Sequence, residues 1–128
     1  MSTAKAKGTA WESAVRDFLN EELGQYVTDW RDADYRWKDP HDLGNVNRQV
    51  QAGVLDVGDL HARPFVLEAK AEKSIRLAEY VRQANREAAN AGFKFGAAVV
   101  KAPRRNVKNG YVVMDLATFA RVLEALRE

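Results

Sequence analysis

The chain has 128 residues, 46% hydrophobic and 30% charged, the make-up of a single globular domain rather than a disordered tail. It has no cysteine, which excludes disulfides and thiolate metal sites, and no apolar run near the length of a membrane span. Net charge is only +2, yet the pI is about 9.0 and the basic residues are clustered, a pattern that fits a polyanionic partner and no membrane.

Residues 1–8, "MSTAKAKG", lack the apolar core of a signal peptide and read as a flexible arm, followed by one domain over 9–128. A cytoplasmic location is expected, or a host cell's cytoplasm should the source be a virus. The spacing of Trp11, Ala14, Val15, Phe18 and Leu19 predicts a helix over 10–23, with Thr9 as N-cap, Glu12 completing a capping box and Gly24 as the stop. Residues 25–38 mix aromatic and β-branched residues with charges and read as one or two short strands. Trp30, Tyr35 and Trp37 are there to fill a core or to stack on bases. Residues 39–53 carry Pro40, Gly44, Asn45 and Gly53 and read as a long loop.

Strands are expected over 54–60 and 65–70, joined around "HARP". A helix capped by Ser74 runs to about Ala91 and stops at Gly92, with Leu77, Val81, Ala84, Ala88 and Ala91 as its buried stripe. The unalternating "FGAAVVK" reads as a strand covered on both faces. A basic loop, "APRRNVKNG", leads to a strand at "YVVMDL". A last helix over 117–127 turns Phe119, Val122, Leu123 and Leu126 inward. The order α-β-β-β-α-β-β-α implies an α/β fold, a single domain whose central mixed sheet is flanked by helices.

Chemistry concentrates in "DVGDLHARPFVLEAK", residues 56–70. Alternation puts Glu68 and Lys70 on one face of their strand and turns Phe65, Leu67 and Ala69 into the core. Folding back at 62–64 brings Asp59 opposite Leu67 or Glu68. Asp56 would point away unless a bulge at Gly58 intervenes. Two adjacent carboxylates repel, and a hard divalent cation relieves the conflict. The competing reading is a surface hairpin in which Lys70 only pairs with Glu68. His41 and His61 read as surface residues before they read as bases.

"GD", eight residues and then "EAK" resembles the signature of the PD-(D/E)xK nuclease superfamily, with Gly58 where proline is often found. "KGTAWESAVRDFL" and "EYVRQANREAANAGFKFGAAVVKAP" resemble the flanking elements of its archaeal-type Holliday-junction resolvase branch, so the likeness spans about 7–102. It implies a restriction-endonuclease-like α-β-β-β-α-β core, making 9–128 a nuclease domain. By this resemblance Asp59, Glu68 and the Ala69 carbonyl would ligate Mg²⁺ or Mn²⁺, and Lys70 would position the attacking water. Glu12 would reach the site from the first helix, its rival role being the cap, and Gln83 would orient Lys70 or the DNA. Arg48, Lys73, Arg76, Arg104, Arg105 and Lys108 are the expected phosphate contacts. The implied activity is a metal-dependent endonuclease acting on branched DNA as a homodimer. The alternatives are a flap-, mismatch- or sequence-directed nuclease on the same fold, or a DNA-binding module that does not cut.

Overall fold

The computed structural model describes residues 3–50, 53 and 55–128. The first helix, α1 (Ala4–Glu22), begins earlier than its apolar stripe predicts. The Thr3 hydroxyl accepts the Ala6 N–H at 3.1 Å and supplies the cap. The Ala/Lys-rich stretch behind it then favours helix, so residues 4–8 of the expected arm are helical. Thr9 and Glu12 therefore lie inside the helix, and Glu12 is free of any capping role. Leu23 is the C-cap and Gly24 the left-handed residue after it.

Residues 25–38 do not form strands. They are turns tied by a single Tyr26–Trp37 bridge. Side chains organise this segment: Tyr26 packs against Trp30 and Trp37 at centroid distances of 4.8 and 4.9 Å, and its hydroxyl donates to Asp17 at 2.6 Å. Tyr35 stays exposed.

Among the described residues the sheet has five strands in spatial order β1 (Asn47–Arg48), β2 (Leu60–Ala62), β3 (Phe65–Lys70), β4 (Phe95–Val100) and β5 (Tyr111–Val113). All neighbours are antiparallel except β3 and β4, which are parallel. Parallel neighbours need a long crossover, and α2 (Leu77–Ala91) provides it. The chain closes with α3 (Leu116–Leu126). This is an α/β single domain with a mixed sheet between helices.

Two faces of the sheet are covered, and β3 and β4 are the strands that need it. On one face Trp11 and Val15 of α1 pack against Leu60, Leu67, Ala97 and Val99. The Trp11 indole N–H donates to the Val99 carbonyl at 2.9 Å, which pins α1 to β4. On the other face Tyr80 of α2 packs with Ala98 and Val100. β4 is buried along its whole length, as its unbroken apolar run predicts. A Cβ at Gly96 would collide with the Ala84 carbonyl, so α2 and β4 touch backbone to backbone there.

Three local expectations are corrected. The strand expected over 54–60 starts only at Leu60, because Gly58 adopts a φ of 92° that breaks the extended run; Val54 lies outside the described residues. Ser74 does not cap α2; its carbonyl instead accepts the Tyr80 hydroxyl at 3.0 Å, and the helix starts at Leu77 with no side-chain cap. That turns α2 so that Tyr80, Ala84, Glu87 and Ala88 are buried while Leu77 is exposed. In α3 only Thr118 is buried; Phe119 and Leu126 are 45% and 76% exposed rather than inward. The three-residue β5 offers too little surface to cover an amphipathic helix. Among the described residues no helix is long and apolar enough to cross a membrane.

Candidate functional site

The C-terminal end of β3 gathers the acids and the amine that the sequence singles out. Asp59 stands just before β2, yet it extends the ladder on both sides: its N–H donates to the Leu67 carbonyl at 3.2 Å and its carbonyl accepts the Gln49 N–H at 2.8 Å. Its carboxylate Oδ2 accepts the Ala69 N–H at 2.8 Å, which fixes the acid against β3. Leu60 pairs with Leu67, so Asp59 stands beside Glu68 in the continued register.

Glu68 is 5% exposed and lies on the α2 face. Gln83 of α2 donates to its Oε1 at 3.2 Å. Lys70 Nζ is 3.5 Å from the same oxygen and lies 5.2 Å from the centre of the Tyr80 ring. Gln83 thus holds Glu68 rather than Lys70. Val66, Glu68 and Lys70 share a face as alternation predicts, but that face is covered by α2, so the hairpin is not a surface one.

Glu12 reaches Asp59 from the α1 side and is engaged by Arg48, whose Nε and Nη2 donate to one carboxylate oxygen at 3.1 and 2.9 Å. Arg48 is thereby an electrostatic partner of the site more than a free phosphate contact. Arg76 is paired as well, with Glu72 at 3.3 Å and Glu79 at 3.0 Å. Lys73 is exposed on the β3–α2 connection beside Lys70. Arg104 and Arg105 lie exposed in the loop after β4, and Lys108 in the 3₁₀ turn Val107–Asn109 that follows. That loop leaves the sheet where the Lys101 N–H donates to the Lys70 carbonyl at 2.9 Å, so it starts at the acidic corner.

One residue that sequence reasoning passed over is central. Glu87 of α2 is fully buried (0% exposed) and abuts Glu68. Both its carboxylate oxygens, and Oε2 of Glu68, are buried without a hydrogen-bond partner among the described residues. Glu87 faces both Glu68 and Asp56, and carboxylates have no donor to share unless a proton bridges them. A Cβ at Gly58 would run into the Val66 side chain and crowd Glu87, so the glycine opens this corner. The missed signal was spacing: Tyr80, Ala84, Glu87 and Ala91 fall three and four apart, but an acid reads as a surface residue. His61 is half-buried, its Nε2 2.8 Å from the Val57 carbonyl and its ring on Phe93, while His41 stays exposed.

Crowding acids in a dry corner raises their pKa values. Burial pushes Asp59 up to about 8, helped by the neighbouring Glu68 charge and more weakly by Glu12, against the pull of the Ala69 N–H. Burial also pushes Glu68 up to about 8, with contact and charge from Glu87 adding to it and Lys70 working the other way. Glu87 is raised, chiefly by burial. A hard cation fits this donor set in charge and chemistry: two carboxylates at the strand end, one with an orphaned oxygen, beside the Ala69 backbone. Among the described residues, no three or more His, Asp or Glu side chains converge as a ready metal cage.

The corner opens at Ala69 and Lys70 into a cleft of about 530 Å³. Compared with protein-family models, curated proteins and solved structures, the chain matches none.

Proposed function

We propose that the chain is a metal-dependent endodeoxyribonuclease that hydrolyses phosphodiesters in branched DNA, in the manner of the Holliday-junction resolvases its residues resemble. The observation that carries this reading is the convergence of Asp59, Glu68, Lys70 and Gln83 at the end of β3. Two acids driven to about 8 by burial and by neighbouring carboxylates are costly to keep, and a purely structural corner is cheaper without them.

In this reading Asp59, Glu68 and the Ala69 carbonyl would hold Mg²⁺ or Mn²⁺. When bound, such a cation supplies countercharge for the acids and polarises the scissile phosphate. The Ala69 N–H fixes Asp59, and Gln83 fixes Glu68. Lys70, held between Glu68 and the face of Tyr80, presents its amine to the water that attacks in line with the leaving oxygen. Glu12 supports Asp59 from α1 while Arg48 balances its charge. Lys73, Arg104, Arg105 and Lys108 supply phosphate contacts that position the DNA, joined by Arg76 if DNA displaces its acid partners. Paired incisions on a four-way junction need two sites, so a homodimer is part of the reading.

The Arg48–Glu12 pair favours a second reading, a DNA-binding module that does not cut, since it occupies an acid a nuclease would aim at its cation. Labelled four-way junction, flap and linear duplex, each with Mg²⁺ or EDTA, separate the two. The nuclease reading expects metal-dependent cuts, most on branched DNA. Equal cutting of linear and branched DNA removes the junction preference, and binding without cutting in Mg²⁺ and Mn²⁺ selects the module.

A further inference from the structure

The geometry points to a two-fold homodimer closed at the β5 edge of the sheet, with the apolar stripe of α3 laid antiparallel on the same stripe of a second copy. This deepens the proposed reading, which needs two sites in one assembly, and rests on it only for the purpose of the pairing.

The direction of the stripe carries the inference. One flank of α3 is held against α2 and β4. Thr118 is 1% exposed, Asn85 of α2 donates to Asp115 at 3.2 Å, and Arg121 donates to the Lys94 carbonyl at 3.4 Å and lies over the Phe95 ring. At about 100° per residue, Leu116, Phe119, Leu123 and Leu126 all stand roughly 140–220° around the helix from Arg121. They therefore point away from α2, on the side where the sheet ends. Leu116, Phe119 and Leu126 are 81%, 45% and 76% exposed. A helix normally turns such a stripe into a core. Here the missing half of that core lies beyond the last strand.

The two edges of the sheet differ in the same sense. β1, at one end, carries Asn47 and Arg48, and edge charge of this kind discourages strand pairing. β5, at the other end, is Tyr111, Val112 and Val113, with no charge and no proline, and among the described residues no strand lies beyond it. Tyr111 and Val112 alternate between its faces and are 57% and 60% exposed, so both faces of this edge are apolar.

The occupant is a second copy because the stripe fits itself. Its spacing of three, four and three residues reads the same in both directions. Turned end for end, Leu116 stands opposite the partner's Leu126, and Phe119 opposite the partner's Leu123. A two-fold axis makes each contact twice and closes the assembly. At ~200 Å² for an apolar side chain of this size, the exposed shares of Tyr111, Val112, Leu116, Phe119 and Leu126 come to roughly 600 Å² per chain. A pair then buries about 1,200 Å², which is where stable specific interfaces begin.

The test is sedimentation velocity of the full chain at micromolar concentration without DNA. The wild type should run as a dimer. Leu116→Glu combined with Leu126→Glu, both at exposed positions, should keep the circular dichroism spectrum and raise the dimer dissociation constant about 100-fold or more. Leu23→Glu combined with Leu43→Glu, exposed elsewhere on the chain, should leave the dimer intact. Mixing the Leu116→Glu, Leu126→Glu chain with a Leu116→Lys, Leu126→Lys chain should restore pairing. The chain has no cysteine, so an equimolar mixture of Leu116→Cys and Leu126→Cys should oxidise to a linked dimer in far higher yield than either variant alone. A monomeric wild type, a dimer that survives the double glutamate variant, or a mass that keeps growing with concentration overturns the interface. Cross-linking of each cysteine variant alone as well as the mixture overturns the antiparallel arrangement. A dimer that never cuts DNA keeps the interface and loses the nuclease; a monomeric wild type that cuts a four-way junction does the reverse.

Discussion

At the level of single residues, the protons on Asp59 and Glu68 are the most exposed part of the reading to experiment. Both acids sit near 8 in the fold, against ordinary carboxylate values of about 4 in an unfolded chain. Between those limits the folded state binds more protons than the unfolded one, so these acids make stability fall as pH rises from about 4 to about 8. Thermal melts in EDTA should show that decline, and the double variant Asp59→Asn, Glu68→Gln should make it shallower, leaving the share of the raised Glu87. Added Mg²⁺ should raise the melting midpoint more at pH 8 than at pH 6, because binding must displace those protons. For turnover, Lys70→Ala should lower the cutting rate by about 100-fold or more with DNA affinity within about threefold, measured by single-turnover cleavage beside anisotropy. The pairing of Asp59 with β3 was legible in the sequence, since alternation and the turn at 62–64 fix who stands beside whom. The burial of Glu68 was not, because it depends on which face of α2 comes down. Glu87 escaped for the same reason: nothing local marks an acid as buried.

At the level of elements, the contact between α2 and β4 sets the height of the acidic corner. Gly96 lets the Ala84 carbonyl meet the strand directly. Gly96→Val should cost about 1–3 kcal/mol or more through overpacking, read as a lower urea midpoint. By lifting α2 it should also part Gln83 from Glu68, so cutting should fall further than stability alone explains. The helices and the strands from Leu60 onward could be read in order from periodicity and from stops such as Gly24 and Gly92, but the first strand could not: it is Asn47–Arg48, inside the segment that reads as a long loop, and not in 25–38. Boundaries could not. Thr3 outcompeted Thr9 as a cap because the Ala/Lys stretch between them has no reason to be anything but helix. Aromatic packing around Tyr26 replaced the ladder expected over 25–38. Leu77 is excluded from the core because α2 begins without a cap and turns toward Tyr80.

For the whole molecule, charge distribution matters more than the net +2. Lys7, Lys70 and Lys73 flank the acidic corner on one side, and the loop bearing Arg104 and Arg105 leaves β4 beside it. Replacing Arg104 and Arg105 by alanine should reduce the salt slope for duplex binding by about 0.9 for each phosphate that is no longer neutralised. On the far side of the sheet, Tyr111, Val112, Leu116 and Phe119 expose apolar surface on β5 and the start of α3. The sequence pattern predicts that the helix buries its own share of that surface, an argument that counts residues without knowing how short β5 is. Sedimentation at micromolar concentration should give a dimer if two cutting sites act together; a monomer that still cuts both strands of a junction would remove that part of the reading.

On the proposed reading the acids, the amine and their supports hold a hard ion. The direct measurement is calorimetric titration of Mn²⁺ at pH 8 into the wild-type chain, Asp59→Asn and Glu68→Gln. Binding by the wild type that disappears in both variants is the expected result; no binding by the wild type, or equal binding by all three folded chains, would contradict it.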